Sequence, residues 1–330
     1  MSSSLRHIRL LPSLNQSAAS HPSYPSYALA TRIQTQLQLD LLSWKAQPPS
    51  TRGPPPPPTL LSFTPAPTYT FGRRQTEPLA AAELERLRAP LRTGEWRGGR
   101  GGAGAGGNNE GAPWFTPITT HAPRGGLTTY HGPGQVVFWP VIDLRAPTYA
   151  PLTVRDYACL LEKTTIATLG RRPWGLRGFT TGNPGVWVRH GESRAEWNTT
   201  KENENDERKI AALGVHLRRH VTSLGVAINV NVPVTGPEDA NPWARIVACG
   251  LGDKGVTSIA HELRDYEQHA LSEETLARQW AAEFAQHLGL GPRADGADEK
   301  GPDEGPVWDV DVGDLLRGWG WGWQAIFEYY

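Results

Sequence analysis

Residues 123–144 read PRGGLTTYHGPGQVVFWPVIDL, a glycine-rich loop that runs directly into a long apolar segment. The paired glycines let a ligand approach backbone N–H groups, and Arg124 and His131 place polar groups at the two ends of the loop. The segment from Gln135 to Leu144 is too apolar to lie at the surface, so it predicts a strand buried on both faces. A simple hairpin loop would require neither the four glycines nor the flanking arginine and histidine.

The sequence on either side of this stretch predicts an alternation of helices and strands. Helices are expected from Tyr27 to the Pro48–Pro49 pair, from a Thr153/Asp156 cap to about Leu169, and from Ser272 to Leu288 with Gly289 as the cap. Strands are expected at 59–63, 68–71, 185–188, 213–217 and 226–232, with a turn at Ser223–Gly225. The fold class that follows is α+β, a single domain with a mixed β-sheet flanked by helices.

The composition of the chain changes along its length and suggests three parts. Residues 1–22 contain no acid, since the first one is Asp40, and they combine arginine with several serines, which is typical of a mitochondrial presequence. A disordered tail is the alternative interpretation. The catalytic domain is expected at 23–290, with Pro/Gly-rich and charged insertions at about 47–58, 94–112 and 189–208, and an acidic, Gly/Trp-rich tail at 291–330. Deleting residues 1–22 is then expected to leave activity in vitro.

Charge and cysteine content exclude several classes of protein. Lys and Arg total 33 and Asp and Glu total 33, so the basic excess of a nucleic-acid or anionic-membrane binder is missing. The two cysteines, Cys159 and Cys249, cannot form a disulfide framework or a four-cysteine zinc site. No apolar run approaches the roughly 20 residues that span a membrane. We therefore expect a soluble protein without a metal.

Two further segments carry residues suited to acyl chemistry. Lys209 ends a polar run and leads into an apolar strand, which would hold its amine at the edge of a cavity. Cys249 ends the apolar run Ile246–Cys249 and is followed by Gly250, whose neighbouring N–H groups could stabilise an oxyanion. Taken singly, such a lysine is usually solvated and such a cysteine is usually an inert core thiol.

Taken together and in order, the three segments resemble the lipoyl(octanoyl) transferases of the biotin/lipoate protein ligase superfamily, of the type found in fungal mitochondria. The similarity covers most of residues 27–263. Its motifs are Tyr69–Arg74, Arg124–Gly126, Thr129–Gln135, Pro184–Val188, Lys209–Gly214, Gly225–Val230, Cys249–Leu251 and Gly255–Ser258. The resemblance implies a biotin/lipoate protein ligase-like fold.

The resemblance also implies the site residues. Cys249 corresponds to the nucleophile that carries the acyl group, and Lys209 corresponds to its acid–base partner. The substrate-binding residues that it implies are Arg124, Gly125, Gly126, Leu127, Thr128, Thr129, Tyr130, His131, Ala212, Leu213, Gly214, Gly225, Val226 and Ala227. No cofactor and no metal are expected, because thioester exchange is close to energy-neutral and the later formation of an amide is downhill.

The partners implied by the resemblance are other proteins. Octanoyl-acyl carrier protein is expected as the donor, and the lipoyl domains of 2-oxo acid dehydrogenase complexes and the glycine cleavage carrier protein as acceptors. We expect a mitochondrial monomer that binds neither nucleic acid nor membrane. Two alternatives stay open, an ATP-dependent lipoate or biotin protein ligase of the same fold and a non-catalytic scaffold. Neither gives a role to the pair of Lys209 and Cys249.

Overall fold

A computed structural model describes residues 4–10, 24–92, 114–189, 207–247, 254–263, 272–291, 307–310 and 316–319. The strands in these ranges are β1 (Leu5–Leu10), β2 (Thr59–Phe63), β3 (Thr68–Phe71), β4 (Leu91–Arg92), β5 (Trp114–Phe115), β6 (Ile118–His121), β7 (Thr128–His131), β8 (Gln135–Val141), β9 (Val186–Arg189), β10 (Glu207–Arg218), β11 (Val221–Asn229), β12 (Gly255–Val256) and β13 (Val307–Val310). The helices are α1 (Tyr27–Ala46), α2 (Ala81–Arg88), α3 (Val154–Gly170), α4 (Ile259–Glu262) and α5 (Glu273–Leu288), with a 3-10 turn at Pro242–Arg245.

The main sheet is mixed, which confirms the predicted α+β class. Its strands lie in the order β12-β10-β11-β8-β2-β1-β13, and β9 also pairs with β10. The pairs β1–β2, β1–β13 and β10–β12 are parallel, and the remaining pairs are antiparallel. A smaller sheet, β6-β3-β7, carries the end of the glycine-rich loop, and β4 pairs with β5.

Helices cover both faces of the main sheet, which explains the unbroken apolar run of β8. Val136 and Phe138 pack in the core shared with α3 and α5, where the ring of Phe138 stacks on Trp280 with centroids 4.4 Å apart. Val137 and Trp139 point to the opposite face and pack in the core shared with α1. Successive strand residues alternate between faces, so a strand buried on both sides is apolar at nearly every position, and the one polar side chain of β8, Gln135, is hydrogen-bonded.

The helix boundaries follow the local capping signals that the sequence contains. Ser26 accepts a hydrogen bond from the N–H of Leu29 and starts α1. Thr153 and Asp156 form a reciprocal capping box at the start of α3. Gly289 ends α5 with a φ of 77°, a left-handed conformation that glycine adopts without steric cost.

Described segments on both sides of the predicted domain, β1 before residue 23 and β13 after residue 290, pack into the fold. β1 pairs with both β2 and β13, and Leu5 and Ile8 are fully buried. Near the other end, Leu316 packs in the core shared with α1. The sequence predicted residues 1–22 to be separate from the domain because they contain no acid and combine arginine with serine, and composition does not reveal the pairing of β1 with β2 and β13.

The turn between β10 and β11 also differs from the prediction. The antiparallel register pairs Arg218 with Val221, so the turn consists of Arg219 and His220, whose φ values are 50° and 69°. Two consecutive positive φ angles are typical of a two-residue type I′ hairpin. The predicted turn at Ser223–Gly225 is wrong, because this segment belongs to β11. Its glycine is needed for another reason, since a Cβ on Gly225 would lie 2.2 Å from the Phe138 carbonyl oxygen.

The glycine-rich loop is tied to the main sheet by the turn that follows it. The carbonyl of Gly134 accepts hydrogen bonds from the N–H groups of Val230, Asn231 and Val232.

The predicted insertion at 94–112 and nearly all of the one at 189–208 lie outside the described residues. None of the helices within the described ranges is long and apolar enough to cross a membrane.

Candidate functional site

The glycine-rich loop between β6 and β7 is closed by the side chain of Arg124, which is 8% exposed. Its Nη2 donates to the Thr70 carbonyl at 2.6 Å, and its Nη1 donates to the carbonyls of Leu127 at 2.8 Å and Gly125 at 3.0 Å. Charge-assisted hydrogen bonds to backbone oxygens are strong and hold a loop in one conformation. The guanidinium of Arg124, which we expected to contact substrate, thus fastens the loop to β3.

The loop approaches its neighbours so closely that two glycines are required. A Cβ on Gly72 would lie 2.4 Å from the Gly126 carbonyl oxygen. A Cβ on Gly214 would lie 2.9 Å from Cδ of Arg124. Both distances are shorter than real contacts of a Cβ, so the arginine stem and the loop backbone occupy the space that a side chain would need. Arg124 thereby brings the loop against β10.

The predicted substrate-binding residues of β10 and β11 face each other across the hairpin. The register pairs Ala212 with Ala227, Leu213 with Val226, and Gly214 with Gly225. Strand alternation divides this set between the two faces of the sheet. Leu213 and Val226 pack in the core beneath α3 and α5. The other four residues lie on the face that meets Arg124.

The strand β7 contributes four predicted residues, all of them buried. They are Thr128, Thr129, Tyr130 and His131. The Tyr130 ring packs against Tyr69 and Trp243, with centroids 5.3 and 5.8 Å away, so it belongs to the core of the smaller sheet. The His131 ring instead stacks on Tyr27 of α1 at 5.5 Å.

Lys209 is a buried amine at the start of β10. Its side chain is 7% exposed, and Nζ donates to the Pro184 carbonyl at 3.1 Å. The same Nζ lies 4.7 Å from the ring centroid of Trp187, which pairs with Lys209 across β9 and β10. A carbonyl and an aromatic face both attract a cation, so they fix the direction of this lysine. Gly185, directly before β9, has a φ of 119°, a backbone conformation that glycine adopts without steric cost.

A second lysine lies against the same indole ring. Nζ of Lys254 is 5.2 Å from the centroid of Trp187 and 2.6 Å from Oε2 of Glu207. The ion pair joins the start of β10 to the residue before β12. Lys254 is thus a second lysine beside the Trp187 ring, and its partner is the carboxylate of Glu207.

The predicted nucleophile, Cys249, lies outside the described residues. The next described residue is Lys254, which leads into β12. There Val256 pairs with Lys209, and the N–H of Thr257 donates to the Lys209 carbonyl at 3.0 Å. The chain that follows Cys249 therefore returns to the sheet beside Lys209. Cys159, the other cysteine, is half-buried on α3.

A buried polar chain connects the loop to this same edge of the sheet. His131 Nδ1 lies 2.7 Å from Gln135 Oε1, Gln135 Nε2 donates to Asn229 Oδ1 at 2.8 Å, and Asn229 Nδ2 donates to the Thr257 carbonyl at 2.8 Å. Burial lowers the pKa of His131 to about 4, an effect that the hydrogen bond to Gln135 opposes and the nearby Arg124 charge reinforces. His131 is therefore neutral at physiological pH.

The sequence analysis did not identify Gln135, Asn229 or Trp187 as site residues. Gln135 and Asn229 border apolar residues, and a buried amide within a strand requires a hydrogen-bond partner. Trp187 lies between two valines and gives no such signal. Asn229 was expected on the polar side of an alternating strand, yet its exposure is 3%. Its position directly between Ile228 and Val230, in an apolar strand, is the signal that could have identified it. Among the described residues, no three His, Cys, Asp or Glu side chains come together as a metal site would require.

The chain matches the model of the lipoyl protein ligase A/B catalytic domain over residues 119–285. It is 32% identical over 235 residues to a Schizosaccharomyces pombe protein named "Probable octanoyltransferase", covering 71% of this chain and 80% of that protein. It is 34% identical over 207 residues to the mitochondrial octanoyl-[acyl-carrier-protein]:protein N-octanoyltransferase of Danio rerio, covering 63% of this chain and 68% of that protein.

Two further similarities are more distant. The mitochondrial octanoyltransferase of Saccharomyces cerevisiae is 28% identical over 243 residues, which cover 71% of this chain and 61% of that protein. The bipartite lipoate protein ligase of Thermoplasma acidophilum, a solved structure, is 13% identical with a TM-score of 0.47, covering 91% of this chain and 88% of that chain.

Proposed function

The chain belongs to the family of lipoyl protein ligase A/B catalytic domains, and we propose that it transfers an octanoyl group through a thioester on Cys249 with Lys209 as the proton-transfer partner. It is an acyltransferase, and its reaction is octanoyl transfer for protein lipoylation. An acyl carrier protein supplies the acyl group and a lipoyl domain accepts it. The observation that carries the proposed site is the buried Lys209 amine, held beside the strand into which the Cys249 segment leads.

In the first step, the Cys249 thiolate attacks the thioester carbonyl of the octanoyl carrier. The new bond joins Cys249 Sγ to the acyl carbon, and the carrier thiolate leaves with its electron pair. One thioester replaces another, so the step needs no ATP. Because a free cysteine is only a few per cent thiolate at neutral pH, a base that accepts the thiol proton increases the reactive fraction.

In the second step, the amine of an acceptor lysine attacks the same acyl carbon and Cys249 Sγ leaves. The product is an amide, which makes the step downhill. The attacking amine loses a proton and the leaving sulfur gains one, and Lys209 relays it. Lysine suits this exchange because its amine can both accept and return a proton.

The acyl chain is proposed to lie on the face of the β10–β11 hairpin that meets the loop. Ala212 offers a small side chain there, while the stem of Arg124 fills the space above Gly214, and Ala227 packs in the core shared with α1. Arg124 supports the site by fastening the loop, with Gly125 and Gly126 next to it. Leu213 and Val226 support the hairpin from the core.

We also propose a mitochondrial location and the predicted acceptors, the lipoyl domains of 2-oxo acid dehydrogenase complexes and the glycine cleavage carrier protein. The location is supported by two relatives whose names include the mitochondrion. An import signal within residues 1–22 would overlap β1, so we propose that the address acts before folding and that Leu5–Leu10 is kept in the mature enzyme.

The reaction can be tested with purified octanoyl-carrier protein and a lipoyl domain, without ATP, by mass spectrometry of the acceptor. Lys209→Arg keeps a cation but cannot give up its proton at usable pH. We expect transfer to fall by about 10²–10⁴-fold, the usual contribution of acid–base catalysis. Lys254→Arg is the matched control, because it keeps the ion pair with Glu207, and it should stay near the wild-type rate. An active Lys209→Arg enzyme would show that Lys209 supplies charge alone, and a strict ATP requirement would indicate a ligase.

A further inference from the structure

A backbone carbonyl sets the direction of the buried polar chain that ends at His131. The Thr257 carbonyl accepts hydrogen bonds and has no proton to donate, so the Asn229 group 2.8 Å away must be the Nδ2 amine. The opposite side of the amide, Oδ1, then faces Gln135. The orientation of the Asn229 side-chain amide is therefore fixed by the Thr257 carbonyl, which can only accept a hydrogen bond.

The same argument extends to the next two side chains. Asn229 Oδ1 accepts, so Gln135 presents Nε2 to it at 2.8 Å, and this Nε2 also faces the Tyr130 carbonyl. Two acceptors on one side fix the Gln135 amide and leave its Oε1 toward His131 at 2.7 Å. An acceptor at that distance requires the proton on His131 Nδ1. His131 Nε2 then carries a lone pair and no hydrogen.

We propose that Gln135 and Asn229 are positioning residues that hold His131 in its Nδ1–H tautomer, so that Nε2 accepts a hydrogen bond from an N–H group of the substrate. This inference rests on the proposed octanoyl transfer. Both substrates carry such a group, since the donor's carrier arm contains amides and the acceptor lysine contributes an amine. A neutral imidazole with a bare nitrogen orients an N–H group, whereas an imidazolium would repel it.

The surroundings of His131 support the neutral form. The ring is stacked on Tyr27, Thr68 of β3 is its partner in the sheet register, and the charge of Arg124 lowers its pKa. None of these groups is a carboxylate that would stabilise an imidazolium. The chain also ends beside the proposed proton relay, because the N–H of Thr257 donates to the Lys209 carbonyl. His131 and Lys209 are thus connected through four hydrogen bonds.

The tautomer can be measured directly by long-range proton–nitrogen correlation NMR on enzyme with labelled histidine, with His131 assigned by the loss of its signals in His131→Asn. We expect a protonated Nδ1 and an unprotonated Nε2 in the wild type, unchanged between pH 8 and pH 6. A proton on Nε2 in the wild type would overturn the proposal, whatever the activity of the enzyme.

Gln135→Glu gives a sharper test because it keeps the size of the side chain and adds a charge. A carboxylate next to Nδ1 favours the imidazolium, so Nε2 should gain a proton as the pH falls. We expect transfer to drop by about tenfold below neutral pH, the value of one lost hydrogen bond, and to recover as the pH rises. Gln34→Glu, at another buried glutamine, is the control and should lower stability without adding this pH limb. An unchanged pH profile in folded Gln135→Glu would refute the assignment.

A second variant covers the case in which Gln135→Glu does not fold. Gln135→Met removes the acceptor without adding charge, and we expect the Nε2–H tautomer of His131 to appear in its spectrum. Single-turnover rates then identify the N–H donor. Slower acylation by the carrier points to its amide, slower transfer to the lipoyl domain points to the lysine amine, and no change in either rate contradicts the proposal. Transfer by a Cys249→Ala enzyme would refute the proposed function while the tautomer result stands.

Discussion

Burial lowers the pKa of two histidines whose hydrogen-bond partners differ and lie toward opposite edges of the main sheet. His131 faces a neutral amide, Gln135 Oε1, in the chain that leads to β12. His7, in β1 beside the β13 edge, has Nε2 at 2.8 Å from Ser62 Oγ and Nδ1 at 3.1 Å from Asp309 Oδ1. Burial lowers the pKa of both rings, but only His7 has a carboxylate that opposes the shift.

The difference separates a site from a structural joint. The hydrogen-bond partner of His131 is a neutral amide, so it sets the direction of the Nε2 lone pair and does not stabilise a charge on the ring. Around Asp309, Arg9 and Arg278 form ion pairs at 3.1 and 2.8 Å in contact with solvent, which tie the two ends of the chain together. The terminal edge should therefore respond to truncation, acid and salt, and the site end to changes in hydrogen bonding.

The largest effect is expected from removing the terminal edge. Deleting residues 1–10 exposes β2 and β13 and removes Leu5, Ile8 and Leu10, each of which is worth about 2–5 kcal/mol when buried. The sum reaches the ~5–15 kcal/mol by which domains are stable, so the truncated protein should not fold. Soluble yield and urea unfolding measure this.

A chain lacking only residues 1–3 is the control for that deletion and should fold normally. The pairing of β1 with β2 leads us to expect a loss of folding where the sequence predicted residues 1–22 to be dispensable, and the two deletions decide between these expectations. A folded, active protein without residues 1–10 would show that β1 is not part of the working enzyme.

A smaller loss is expected at the site end from Arg124→Lys. A lysine cannot reproduce the forked hydrogen bonds to the carbonyls of Thr70 and Leu127, so both buried carbonyls lose a charged donor, and Leu127 keeps only the N–H of Gly72. We expect a loss on the order of 3 kcal/mol in the free energy of unfolding. Arg88→Lys, an exposed arginine that donates to Thr119, should change stability by less than about 1 kcal/mol. Equal effects of the two changes in urea unfolding would argue against a structural role for Arg124.

A still smaller effect is expected from Asp309→Asn, which makes the surroundings of His7 more like those of His131. Loss of the ion pairs should cost about 1 kcal/mol at pH 7. The folded pKa of His7 is already below 6.5, so its stabilising effect is present above pH 6.5 and is lost as the pH falls through the folded value. Without the carboxylate, the folded pKa of His7 falls further, and the loss of stability between pH 6.5 and pH 4 becomes steeper.

In the wild type, the contribution of the Asp309 carboxylate to stability is also lost as the pH falls. Burial raises the pKa of Asp309, but contact with His7 and the charges of Arg9 and Arg278 outweigh this and lower it, so its contribution is lost only in stronger acid. Urea unfolding at a series of pH values measures both effects. Glu77→Gln, at an exposed site, is the control, and a slope in Asp309→Asn that matches the control would contradict this account.

The smallest effect is expected from deleting residues 94–111, a glycine-rich tract that lies outside the described residues. Glycine-rich insertions bury little, and shortening a loop changes its closure entropy by less than about 1 kcal/mol. Transfer rate and melting temperature should both stay close to the wild type. A large loss of activity in folded protein would mean that this tract takes part in the site.

Much of the fold was predictable because its signals are local. The bounds of β2 and β3 and the Thr153–Asp156 capping box agree with the sequence patterns, since each depends on residues a few positions apart. The strand β1 was missed because its partner β13 is distant in sequence. The turn between β10 and β11 was misplaced because Gly225 is demanded by the Phe138 carbonyl across the sheet and not by a turn.

The site was predictable to a different extent. Lys209, His131 and the glycines were identified from motifs, and the structure brings Arg124 against Gly214. What the motifs could not provide is the direction of a side chain. Arg124 turns into the loop, and Gln135 and Asn229 turn toward each other across β8 and β11, which only the strand register reveals.

The central claim is that the acyl group passes through Cys249, and peptide mapping by mass spectrometry tests it most directly. Wild-type enzyme mixed with octanoyl-carrier protein, quenched before acceptor is added and digested at low pH, should carry one octanoyl group on the peptide containing Cys249. Cys249→Ala should carry none and transfer nothing, while Cys159→Ala should behave as the wild type. An octanoyl group recovered on Cys159, or an octanoylated lipoyl domain formed by Cys249→Ala, would contradict the account.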